Sequence, residues 1–166
     1  MISIRRINED DARLLRDVRL RALSDSPMAF GSTFAREVAF EPAEWQKRAT
    51  RAGCSPDGAI FLAINGANCS GIIGCFGADE VPGQACIVSM WVAPEVRRQG
   101  IGARLIQAAE DWARRQGFAR LSLDVTEGNL PAIALYEGCG FRFTGEFDRY
   151  PNDRTLRELF MLKRLD

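Results

Sequence analysis

The sequence contains no histidine. That absence removes Ser-His-Asp and Cys-His catalysis and every zinc site that relies on imidazole. A general base must then be a carboxylate, a water or the reacting group itself. Cysteine is sparse and unpatterned. Cys54, Cys69, Cys75, Cys86 and Cys139 are odd in number and form no Cys-x-x-Cys, so no disulfide framework is expected. No apolar run approaches the roughly 20 residues that cross a bilayer, and Met1-Ile2-Ser3-Ile4-Arg5-Arg6 lacks the apolar core of a secretion signal. A cytoplasmic protein without membrane attachment is expected. Net charge is missing as well: 22 basic residues balance 22 acidic ones, which leaves no basic field for nucleic acid.

What is present is a globular composition. With 166 residues, 46% of them hydrophobic, the chain is long enough for one domain with a real core, spanning residues 1–166. Alternation over Ile2 to Ile7 predicts a first strand, and Asn8 can cap a helix carrying Leu14, Leu15, Val18 and Ala22 at helical spacing. Pro42 opens a second helix to about Ala52. Residues 28 to 41 hold Phe30, Phe34 and Phe40 with no clear period. Strands at 59–64, 71–77 and one ending at Val92 read as an antiparallel meander. A long amphipathic helix is predicted over about 100–116, with Leu105, Ile106, Ala109, Trp112 and Ala113 on its apolar face and the i, i+4 pairs Glu110–Arg114 and Asp111–Arg115 on the other. A strand at 120–126, a helix at 129–138 and strands near 141–148 and 155–164 complete the order. The helix between strands 86–92 and 120–126 makes those two strands parallel. The fold class is therefore a mixed, mostly antiparallel α/β sheet with helices on both faces.

The apolar run Ile87 to Val92 ends at Pro94, and the turn Arg97-Arg98-Gln99-Gly100-Ile101-Gly102-Ala103 leads into the long helix. Glycines there let a ligand approach main-chain N–H groups at a helix N-terminus, where an anion is favoured. A P-loop would require Gly-Lys-Ser/Thr, but Gly102 is followed by Ala103-Arg104. A dinucleotide fingerprint would require a small residue at Leu105. A second pattern, Asn129-x-x-Ala132-x-x-Leu135-Tyr136 followed by Gly140-Phe141, stands after the strand Leu121 to Val125.

Arg97-x-x-Gly100-x-Gly102 resembles the acyl-CoA signature of the GNAT superfamily of N-acetyltransferases, and the Asn129 to Phe141 pattern is similar to that family's other hallmark. The resemblance is close over residues 85 to 145. It implies a single-domain GNAT fold whose central parallel strands splay apart after a bulge, and acetyl transfer from acetyl-CoA to a primary amine without a metal. Main-chain groups near Met90, Trp91 and Val92 would meet the pantetheine arm, and residues Arg97, Arg98, Gln99, Gly100, Ile101, Gly102 and Ala103 would surround the pyrophosphate, with Arg98 and Arg104 adding charge. Asn129 would contact the cofactor arm, cap its helix, or both. Tyr136 would reprotonate the departing thiolate. Asp124 is a candidate base or a plain surface aspartate. Phe30, Phe34, Glu37 and Trp45 are expected at an acceptor mouth. The last strands offer an edge for a homodimer. The alternative class is a non-catalytic acyl-CoA-binding regulatory module.

Overall fold

A computed structural model describes all 166 residues. The strands are β1 (Ser3–Arg6), β2 (Gly58–Asn65), β3 (Asn68–Gly77), β4 (Gln84–Val92), β5 (Arg120–Thr126), β6 (Arg142–Arg149) and β7 (Arg157–Arg164). The helices are α1 (Ala12–Asp25), α2 (Phe34–Val38), α3 (Pro42–Cys54), α4 (Ile101–Arg115) and α5 (Leu130–Gly138). All seven strands form one sheet in the order β1-β2-β3-β4-β5-β7-β6. Only β4 and β5 run parallel, as the crossover through α4 requires. No helix is long and apolar enough to cross a membrane.

Two apolar layers sandwich the sheet. On one face α4 and α5 bury Leu105, Ile106, Trp112, Tyr136 and Phe141 against Leu121, Leu123 and Met161. On the other, α1 and α3 bury Leu15, Val18, Leu23, Trp45 and Ala49 against Leu62 and Ile72. Each large side chain removed from water contributes about 1.5–3 kcal/mol, so both layers hold the sheet in place. Asn8 caps a short turn at 9–11 before α1, with Asp11 returning the contact to the Asn8 N–H at 2.9 Å.

Two local readings need correction. Glu110 was expected on the solvent face of its helix, but it is 3% exposed and receives Lys163 Nζ from β7 at 2.6 Å. Its charge is satisfied by a residue 53 positions away, which helix spacing alone does not reveal. The segment without period, residues 28–41, contains the end of a 3-10 turn (Pro27–Ala29) and the short helix α2, capped by Thr33 Oγ1 on the Arg36 N–H.

β4 and β5 pair only at Gln84–Cys86 against Arg120–Ser122. β5 continues along β7 to Thr126, and β4 continues along β3 to Val92. Beyond Cys86 the two central strands therefore diverge and leave facing edges without a partner. A bulge starts the divergence: Gly74 pairs with Val88, but Ile72 pairs with Trp91, and Ser89 adopts φ +57°.

Candidate active site

The walls of the gap come from different elements and do different things. On the β4 side, the Ala93 N–H donates to the Ser70 carbonyl at 2.8 Å. Antiparallel alternation then directs the main chain of Trp91 at β3 and that of Val92 into the gap. The Val92 carbonyl accepts Arg97 Nε at 2.8 Å, which leaves its N–H facing the opening. The Met90 side chain crosses the other way, toward Gly102 at the start of α4.

The turn after β4 presents a row of main-chain donors. No N–H from Arg98 through Ala103 finds an acceptor in the chain; the helical ladder begins with Arg104 N–H on the Gly100 carbonyl at 3.1 Å. The two glycines serve separate ends. Gly100 has φ +76° with open space around it, so its requirement is backbone conformation. Gly102 is in the helix, and a Cβ there would lie 2.9 Å from Leu135 Cδ2 and 3.2 Å from Met90 Cε, so what it makes room for is the tips of two side chains. Arg98 also takes a positive φ, of 65°. Left-handed positions at Arg98 and Gly100, separated by Gln99, give the turn the alternating handedness of an anion nest.

Several residues expected around this turn are committed elsewhere. The Trp91 indole is 3% exposed and donates to Asp25 Oδ2 at 2.9 Å, on the α1 side. The Arg97 guanidinium ion-pairs with the same Asp25. Burial raises the Asp25 carboxyl, but Ser26, Trp91 and Arg97 lower it more, and it rests below the ordinary carboxylate range. Trp91 and Arg97 are thus side-chain braces for the turn. Arg104 reaches back to the Ile2 carbonyl at 2.9 Å. Of the arginines named for this anion site, Arg98 alone keeps its guanidinium unengaged. The side chain of Gln99 likewise makes no hydrogen bond, and Ile101 is buried in the α4 layer.

Tyr136 approaches the gap from below, on α5. It is 7% exposed, packs edge-on against Phe141 and makes no hydrogen bond in the chain through its hydroxyl. Burial, with lesser contributions from the Cys139 and Cys86 thiols, pushes the phenol above its ordinary value, so it is protonated at neutral pH. Asn129 caps α5 by accepting the Ala132 N–H at 3.3 Å. On the β5 edge, Asp124 points to the face opposite Leu123 and Val125. Its side chain is open to solvent on one side, yet partial desolvation by the surrounding strands, and secondarily the Asp148 carboxylate on β6, push its carboxyl up.

Sequence reasoning placed Glu37 and Trp45 at an open acceptor mouth. Both side chains are instead interior. Glu37 is 1% exposed and accepts Arg19 Nε and Nη2, each at 2.8 Å. Burial raises its carboxyl, the guanidinium lowers it more, and the net position is below the usual range. Arg19 then donates Nη1 to Ser89 Oγ at 2.6 Å, so the pair props the bulge of β4. Trp45 is 2% exposed. Phe30 is buried beneath the Arg19 guanidinium, and its carbonyl accepts the Tyr150 hydroxyl at 2.6 Å. Phe34 is exposed but faces a separate depression beside Leu20 and Val38. Arg19, Ser89 and Tyr150 carry no sequence signal: their contacts join positions 18, 70 and 120 residues apart.

Residues 21–141 match the profile described as the acetyltransferase (GNAT) family. Streptothricin acetyltransferase of Streptomyces lavendulae is 48% identical over 54 residues, covering 32% of this chain and 29% of that protein. The ribosomal protein bS18-alanine N-acetyltransferase of Escherichia coli is 40% identical over 58 residues, covering 35% and 39%. The chain thus aligns with only about a third of the length of these curated relatives. Among solved structures, an acetyltransferase of the same family from Streptococcus pneumoniae superposes with a TM-score of 0.83 at 21% identity over 100% of both chains. The PaiA N-acetyltransferase of Thermoplasma acidophilum, solved with coenzyme A, gives 0.76 at 18% identity over 99% of each. At these identities the superpositions establish the shared fold.

Proposed function

The chain belongs to the GNAT family of acetyltransferases, and on that footing we propose that it transfers an acetyl group from acetyl-CoA to a primary amine, with both bound together. Residues 1–166 form the acetyltransferase domain, and its setting is the cytoplasm. The observation that carries the reading is the conjunction of free N–H donors at Arg98 to Ala103 with the opened gap between β4 and β5. That pair suits a ligand with a diphosphate at one end and an extended amide-bearing arm.

Acetyl-CoA fits the residues present, and when bound it supplies a thioester whose C–S bond breaks as the amine N–C bond forms, the sulfur leaving with the electron pair. The main chain of Arg98 to Ala103 holds the diphosphate, with Arg98 supplying side-chain charge. Met90 and Val92 border the arm, and the Val92 N–H is the free donor on that edge. Tyr136, kept as a neutral phenol by burial, donates its proton to the sulfur. Asp124 receives the proton that the ammonium gives up, directly or through water, from its place on the β5 edge of the gap. No metal takes part in this scheme. Self-association is assigned to the edge strand β6, which is exposed throughout.

The test is a titration of acetyl-CoA by calorimetry together with amine-dependent release of free thiol. Tyr136→Phe is expected to lower kcat by about 100-fold, within the usual range for a lost acid, while acetyl-CoA affinity changes little. Equal turnover in the variant overturns the acid role. Absence of heat with acetyl-CoA overturns the whole reading.

A further inference from the structure

Between α3 and the sheet runs a cleft of about 340 Å³ that reaches Ser89 at the bulge of β4. Its inner end is formed by Ser89 and by Arg19, whose charge Glu37 neutralises, and Ser89 lies on the stretch of β4 past Cys86 that no longer pairs with β5. Its body is apolar, formed by Trp45, Ile60, Ile72 and Phe76. The sequence makes room for the Phe76 ring: a Cβ on Gly58 would lie 2.1 Å from it, and one on Gly74 2.9 Å. The rim is cationic. Lys47 and Arg51 stand one turn apart on α3, both exposed and neither with an acidic partner. Arg48 between them is already neutralised by Glu44 at 2.9 Å and stacked on Phe40 at 4.5 Å.

Charge reverses on the far side of the gap. Asp124 on β5, Glu158 on β7 and Asp148 on β6 occupy adjacent register positions on the same face of the sheet as the cleft. Burial and mutual repulsion push Asp124 and Glu158 up, in keeping with a shared negative field. A ligand lying from the rim to the gap therefore meets positive charge at its outer end, apolar surface along its length and negative charge where the acyl group would be handed over.

Resting on the transfer reading above, we propose that this cleft holds the acceptor, and that the acceptor is a primary amine with an apolar body and a carboxylate at its far end. The ammonium points to the β4–β5 gap and the carboxylate to Lys47 and Arg51. The reverse orientation, or a diamine, places like charges together at the rim.

Three matched probes test this by thiol release: 4-(aminomethyl)benzoate, 4-(aminomethyl)benzamide and 1,4-bis(aminomethyl)benzene. They share an apolar body and a benzylic amine and differ at the far end. The benzoate is expected to exceed the benzamide by about tenfold in kcat/KM, the sum of two exposed charge pairs, with the diamine poorer still. In Lys47→Glu/Arg51→Glu the order is expected to invert, with the diamine overtaking the benzoate. Acetyl-CoA titration of the same variant checks that it is folded, and Lys47→Gln/Arg51→Gln, which should abolish the preference without reversing it, replaces it if it is not. Equal rates with benzoate and benzamide, or a preference for the diamine in the unmodified protein, overturn the acceptor assignment while leaving acetyl transfer standing. No thiol release with any amine, together with no heat on adding acetyl-CoA, overturns the transfer reading itself.

Discussion

Gly100 and Gly102 stand two residues apart and answer to different physics. An alanine at 100 has room for its methyl group but must hold a left-handed backbone, at a cost of about 1–2 kcal/mol. An alanine at 102 has an ordinary helical backbone but drives its methyl group against Leu135 and Met90. Gly100→Ala is accordingly expected to lower thermal stability by a few degrees and to distort the donor row. Gly102→Ala is expected to displace the ends of the Leu135 and Met90 side chains with little loss of stability, and to weaken acetyl-CoA binding where Met90 borders the arm. Calorimetry and melting curves separate the two, and identical profiles would refute the division of labour. The glycines are legible in the sequence because their spacing is local. The fates of Trp91 and Arg97 are not, because both are set by Asp25 across 66 and 72 residues.

Among the elements, α4 and the parallel crossover were readable because an apolar stripe of period 3.6 needs no knowledge of its partner. The segment between α1 and α3 was opaque for the opposite reason. α2 is short, and its position depends on Glu37 finding Arg19 beneath the surface. That ion pair joins α1, α2 and, through Ser89, the bulge of β4. Arg19→Met leaves Glu37 as an unpaired buried charge, a change that costs about 3–5 kcal/mol. A fall in Tm of about 10 °C is expected for a chain of this size. Because Ser89 loses its brace as well, acceptor KM should rise more than melting alone explains. A variant that melts as the parent protein does would show that the pair bears no weight.

For the whole molecule, acid response divides by face. Asp11, through its hydrogen bonds from Arg5, Glu37, through Arg19 despite burial, and Asp25, through Ser26, Trp91 and Arg97 despite burial, have carboxyls held below their ordinary range. Their stabilisation is present above the unfolded range near pH 4 and is lost as pH falls through the lowered native values. Asp124 and Glu158 behave oppositely. Their native values are raised, so they cost stability at neutral pH and cease to do so once protonated. Asp124→Asn is therefore expected to melt above the parent protein at pH 7, with the two curves meeting as pH drops toward the carboxylate range. A constant separation across pH would place Asp124 outside the shared field. Composition had indicated no net field of either sign, correctly for the total; the separation into a basic rim and an acidic row arises only when α3 and β5–β7–β6 are folded onto one face.

The extra residue at Ser89 has a consequence for what changes β4 can absorb. Before it, odd positions, Ala85 and Ile87, supply the α4 layer; after it, even positions, Met90 and Val92, do so, while Trp91 serves the α1 layer. Parity therefore switches once within a single strand. Removing one residue between Val88 and Trp91 would restore unbroken pleating with the indole still in its own layer, so the loss would fall on the bulge and the opening beside β5 rather than on the core, whereas adding one would either widen the bulge or turn the indole out of its layer. The core alone would accept a strand one residue shorter; it is the gap that needs the longer one.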